Sequence, residues 1–217
     1  MKIWRNFSLF TIGLISVIGS TVQADDREVE KTFSGVSYSE QEPKIPIGSK
    51  ILLIGDSHVG GMSQRFRLYS RQMGYLPVVD GINGSKTNDL LKRLKEDIKI
   101  HSPKLIIIES GTNDSLCSQQ WLDSHSDLYA KVAETAKING AEVVWLSPPA
   151  ISKQLRLHEQ IKVRILSAVG EDSYFDLLSL GLQVTKDQIH LTRDGYEQLS
   201  EQLWNWLMEK NLVFGGC

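Results

Sequence analysis

The chain has 217 residues, with 24 Lys and Arg against 26 Asp and Glu, 41% hydrophobic and 23% charged. A formal charge of -2 without any basic run leaves no electrostatic footprint for nucleic acid. Two cysteines cannot build a disulfide scaffold or a four-cysteine zinc site, which leaves a globular protein able to bury a sizeable core.

Taken in chain order, Lys2 and Arg5 precede an apolar stretch from Phe7 to Ile18, and Val22-Gln23-Ala24 precede Asp25-Asp26. A charged start, a short apolar run and a small-residue end predict a signal peptide over 1–24. The run is shorter than the ~20 residues that span a bilayer, so an uncleaved anchor is the weaker reading. The protein is expected to be secreted or periplasmic, with no stable membrane insertion after cleavage. Residues 25–48 are polar, carry Pro43 and Pro46 and lack a sustained period, which predicts an extended leader.

From residue 49 the chain alternates. Ile51–Ile54, Leu76–Val79, Leu105–Ile108 and Val143–Leu146 are continuous apolar runs, as in strands covered on both faces, and Tyr174–Leu177 is a weaker one. Between them run helical stripes: Leu90, Leu91, Leu94 and Ile98, then Leu128, Val132 and Thr135-Ala136. A last stripe comprises Tyr196, Leu199, Leu203, Trp206 and Leu207. This alternation predicts one α/β domain over 49–212, with a mainly parallel five-stranded sheet between helices and a tail at 213–217. Cys117 falls in a loop at the carboxyl end of a central strand and Cys217 follows a helix running the opposite way. Two separate thiols are expected.

In such a sheet, ligands bind beyond the carboxyl ends of the strands. Four loops there carry chemistry. Gly55-Asp56-Ser57-His58 puts a hydroxyl at the start of a helix, whose first N–H groups face a ligand. The dinucleotide fingerprint is absent, and Gly61 stands where a phosphate loop would need lysine. The loop 80–85 holds Gly84, whose backbone N–H no side chain shields. Gly111-Thr112-Asn113-Asp114 offers an amide to a developing oxyanion. Asp187 precedes His190 by three residues, a spacing that lets a carboxylate accept from the ring Nδ1–H and frees the other nitrogen to act as a base. Each loop alone also has an ordinary structural explanation. His58, His101, His125 and His158 show no ligand spacing, so no metal or cofactor is assigned.

Taken together, Gly55-Asp56-Ser57, Gly84, Gly111-Thr112-Asn113-Asp114 and Asp187-x-x-His190 resemble the SGNH hydrolases, the GDSL esterase/lipase family, over about residues 50–210. The resemblance implies a three-layer, flavodoxin-like α/β/α sandwich and an ester hydrolase working through an acyl-enzyme. It makes Ser57 the nucleophile, His190 the base and Asp187 the group that orients it. The Ser57 and Gly84 backbone N–H groups and the Asn113 amide would form the oxyanion hole. His58 stands where the family name has leucine, and is expected as a partly exposed first-turn residue or a substrate contact. An exported member would meet envelope or extracellular esters, and the lack of a large insertion between Asp114 and Asp187 favours short O-acyl groups on glycans. Lysophospholipase or thioesterase activity is the alternative, with Trp121, Pro148-Pro149 and Leu155 as groove or packing residues. A non-catalytic binding protein would be expected to have lost part of the triad.

Overall fold

A computed structural model describes residues 42–149 and 155–214. The expected signal peptide, most of the leader and Cys217 lie outside the described residues. Five strands, β1 (Lys50–Gly55), β2 (Leu76–Gly81), β3 (Leu105–Glu109), β4 (Glu142–Leu146) and β5 (Tyr174–Phe175), form one sheet in the order β2-β1-β3-β4-β5. Every pairing is parallel, and this order is the flavodoxin-like one, with its switch point between β1 and β3. β1 and β3 are buried along nearly their whole length, which is why both read as unbroken apolar runs.

The helices are α1 (Ser57–Gln72), α2 (Thr87–His101), α3 (Thr112–Ser115), α4 (Gln119–Ser124), α5 (Leu128–Lys137), α6 (Leu155–Val169) and α7 (Arg193–Glu209). On one face, Leu52, Ile54, Ile106, Ile108 and Trp145 share a core with Leu90 and Leu94 of α2, Val132 of α5 and Ile161 of α6. α1 and α7 pack together on the other face, where Phe66 meets Trp204. Trp204 therefore takes the core place that the periodicity gave to Trp206. Trp206 sits at the flank of the stripe, half-buried between the edge of Phe175 and the Lys210 ammonium.

The domain also extends past its expected ends. The Lys44 and Ile45 N–H groups donate to the Asn211 and Leu212 carbonyls at 2.9 Å, and the Tyr75 hydroxyl donates to the Ile45 carbonyl at 3.0 Å. Ile45 and Val213 are buried. Ile45 in a polar stretch and a valine after the last helix carry too little pattern to announce this. The fifth strand is shorter than its run, because Asp176 leaves the sheet to cap the turn at Leu177–Leu180 through the Leu178 N–H. Among the described residues no helix is long and apolar enough to cross a membrane.

Candidate active site

β1 delivers Ser57. A Cβ on Gly55 would stand 2.1 Å from the Glu109 carbonyl, so only glycine lets the end of β1 approach β3 this closely. Asp56 follows as the N-cap of α1, its Oδ1 accepting the His58 N–H at 2.9 Å. Ser57 is thus the first residue of α1, where the backbone N–H has no acceptor within the helix.

His190 arrives from a closed loop between Gln183 and Thr192. The Val184–Leu191 bridge and the Thr185 N–H on the His190 carbonyl at 2.7 Å pin its two sides. Asp187 fixes the turn itself. Its Oδ1 accepts from the Thr185 hydroxyl at 2.6 Å and from the backbone N–H groups of Ile189 and His190 at 2.8 and 3.0 Å. Its Oδ2 lies 2.7 Å from His190 Nδ1, and His190 Nε2 lies 2.9 Å from Ser57 Oγ. An ionised carboxylate can only accept, so Nδ1 carries the hydrogen and Nε2 of a neutral ring faces the hydroxyl as a base. The His190 hydrogen bond, followed by those of Thr185 and the backbone, holds the Asp187 carboxyl well below its ordinary range.

Asn113 lies in α3, the short helix that follows β3. Its Nδ2 donates to Asp56 Oδ2 at 2.7 Å and to the Ser85 carbonyl at 3.1 Å. Both amide hydrogens thus have acceptors in the free protein. Stabilising an oxyanion requires sharing one of them or releasing the longer bond to Ser85. Gly84 lies in a turn with φ +74°, and a Cβ there would meet nothing within 4 Å. Asp114 ties this turn to the site. Buried, it accepts from the Thr87 N–H at 3.1 Å and from the Thr87 and Tyr129 hydroxyls. It thereby caps α2, whose own N-cap residue Lys86 makes no side-chain cap.

His58 departs from the expectation of a partly exposed residue. It is 1% exposed, its ring centroid 5.5 Å from that of His190 and its Nδ1 3.1 Å from the Tyr196 hydroxyl. Burial lowers its pKa and keeps it neutral. A ring nitrogen of His58 lies within 4.8 Å of carboxyl oxygens of Asp56 and Glu109, which lie equally near each other. Sequence spacing gives no sign of this grouping, because its members come from two strand ends and only the fold joins them. The role of Asp56 is legible in principle, since an aspartate before a helix start is an N-cap signal. Trp121 stacks on His125 and Pro148 and Pro149 are buried, so packing accounts for them. The Leu155 side chain lies outside the described residues. The Cys117 thiol is free and donates weakly to the Asn113 carbonyl at 3.5 Å.

No family model matches the sequence, and no curated protein does. Solved structures do. One described as a GDSL-like lipase from Bacteroides thetaiotaomicron aligns with TM-score 0.61 at 19% identity, covering 86% of this chain and 98% of its own. A variant of the acetyl xylan esterase Axe2 from Geobacillus stearothermophilus aligns with TM-score 0.61 at 17% identity, covering 80% of this chain and 100% of its own. A lipase/acylhydrolase from Enterococcus faecalis gives 0.61 at 20% identity, covering 78% and 99%. The chain has the fold of these solved structures, and Ser57, Gly84, Asn113 and His190 all stand beyond the carboxyl ends of its strands.

Proposed function

We propose that this protein is an exported serine ester hydrolase that removes acetyl or other short O-acyl groups from envelope or extracellular glycans. The observation that carries the reading is the unbroken relay from Ser57 Oγ through His190 to Asp187, at 2.9 and 2.7 Å. A serine hydroxyl is a weak nucleophile until a base within hydrogen-bond reach takes its proton. As Oγ attacks the ester carbonyl carbon, its proton passes to His190 Nε2, and the Asp187 carboxylate steadies the resulting imidazolium. The carbonyl oxygen becomes an oxyanion, met by the Ser57 N–H, the Gly84 N–H and the Asn113 amide, where the best single donor contributes about 3–4 kcal/mol. Collapse expels the alcohol, which takes the proton back from His190. Water then repeats the sequence on the acyl-serine, releasing the acid and the free enzyme.

The preference for short acyl groups on glycans is supported by acetyl xylan esterases among the solved structures of this fold. Export rests on the sequence of residues 1–24. A fluorophosphonate probe followed by peptide mass spectrometry should find the label on Ser57, and Ser57→Ala should keep the fold while losing about 10⁴-fold or more in hydrolysis. A label elsewhere, or an unchanged rate, would reject the assignment. Faster hydrolysis of p-nitrophenyl octanoate than of the acetate would reject the short-acyl specificity.

A further inference from the structure

Glu109 ends β3, paired across the sheet with Gly55 two residues before Ser57, and is wholly buried, with no hydrogen-bond donor on either carboxyl oxygen. Its polar neighbours are Asp56, itself 1% exposed, and the Thr112 hydroxyl. Two buried carboxylates side by side cannot both be ionised, so one proton must lie between them. The hydrogen bonds decide which acid holds it. Asp56 already has two donors, the His58 N–H and the Asn113 amide, and stands at the positive end of α1. Glu109 has only the Asp56 backbone N–H and the Thr112 hydroxyl close by, and neither reaches hydrogen-bond geometry with its carboxyl oxygens.

We infer that Glu109 is a neutral carboxylic acid that donates its proton to Asp56, and that it acts as a positioning residue, holding Asp56 and through it the Asn113 amide at the oxyanion pocket. Burial first, and the Asp56 charge second, push the Glu109 carboxyl well above the ordinary carboxylate range. His58 closes the arrangement. Tyr196 engages its Nδ1, and its Nε2 is buried without a partner. Asp56, His58 and Glu109 also have the ligand types of a divalent-cation site. A proton is the simpler occupant, because both Asp56 oxygens already accept hydrogen bonds and one proton relieves both carboxyls at once.

The catalytic half of this inference rests on the oxyanion role proposed for Asn113, whereas the location of the proton does not. Infrared spectra of the wild-type protein at neutral pH, with and without ¹³C-labelled glutamate, should show a protonated-carboxyl band that shifts with the label. The band should vanish in Glu109→Gln. The amide introduced by that substitution donates where the acid did, so the variant should keep kcat within about threefold of wild type, while Glu109→Ala should lose about 10²-fold in kcat with KM little changed. Absence of the band, one equivalent of divalent metal in the purified protein, or equal losses in both variants would overturn the inference. The band without any esterase activity or Ser57 labelling would sink the proposed function and leave the proton where it is placed.

Discussion

The phenol of Tyr196 lies flat over Gly61, with three ring carbons 2.3 to 2.6 Å from where a Cβ on that glycine would stand. A side chain there must displace the ring, and the ring carries the hydroxyl that meets His58 Nδ1. Gly61→Ala is therefore expected to lower stability by about 1–3 kcal/mol through overpacking and to reduce activity by loosening His58. Gly84→Ala has open space and is opposed only by its positive φ, at a cost of about 1–2 kcal/mol. Denaturant unfolding of the two variants should show destabilisation in both, and an isosteric control, Tyr196→Phe, should lose the His58 contact while keeping the packing.

Asn113 is held by Asp56 and by the Ser85 carbonyl rather than left free to face a ligand. Removing its amide takes away the oxyanion donor proposed above and also a hydrogen-bond donor to Asp56. Asn113→Ala should lower kcat by about 10²–10³ with KM nearly unchanged. Steady-state kinetics on a p-nitrophenyl ester would measure both, and a change confined to KM would remove Asn113 from the oxyanion pocket.

The strand pattern and the four loops are legible in the sequence because each depends on local rules. β1 and β3 are buried on both faces and so read as apolar runs, and the Asp187–His190 turn is built from residues three apart. What escapes the sequence depends on long-range packing. Glu109 looks like an ordinary polar residue ending a strand, and only the pairing of Gly55 with Glu109 across β1 and β3 sets it beside Asp56. The burial of His58 is hidden for the same reason, since its partner Tyr196 lies 138 residues away. Trp204 and Trp206 differ by two positions on one helix, and periodicity alone favours the wrong one because the buried face extends through Ser200 and Met208 toward Trp204.

The Asp187–His190 pair is about half exposed, at 47% and 41%. In the proposed mechanism it orients rather than stores burial energy, and Asp187→Asn should leave the fold intact while lowering kcat by about 10⁴-fold, the scale of the same change in a serine protease triad. The carboxyl also links the loop to pH. Its pKa in the folded protein lies below that of an unfolded aspartate, about 3.9. Below that value the unfolded chain binds the proton first, so the stabilising contribution is present at neutral pH and fades as acid is added. Thermal melting of wild type and Asp187→Asn should differ at about pH 7, and the difference should narrow as the pH is lowered to about 3. A difference that grew toward acid would reverse the assigned sign.

Asp97 behaves in the opposite sense. Burial and the neighbouring Asp80 carboxylate push it up to about 6 against the pull of Arg93, which pairs with Asp80. Its Oδ2 is buried without a donor. Between about pH 4 and 6 the folded protein keeps a proton that the unfolded chain has released. Stability therefore falls as pH rises through that window and stays lower above it. Asp97→Asn removes the destabilising charge. Because the group is part exposed and screened, the gain at neutral pH is expected to be about 1 kcal/mol rather than the full value of the shift, with little difference below about pH 4. Urea unfolding at about pH 7.5 and about pH 4 would measure both, and a variant less stable than wild type at the higher pH would show that Asp97 is held charged by Arg93 instead.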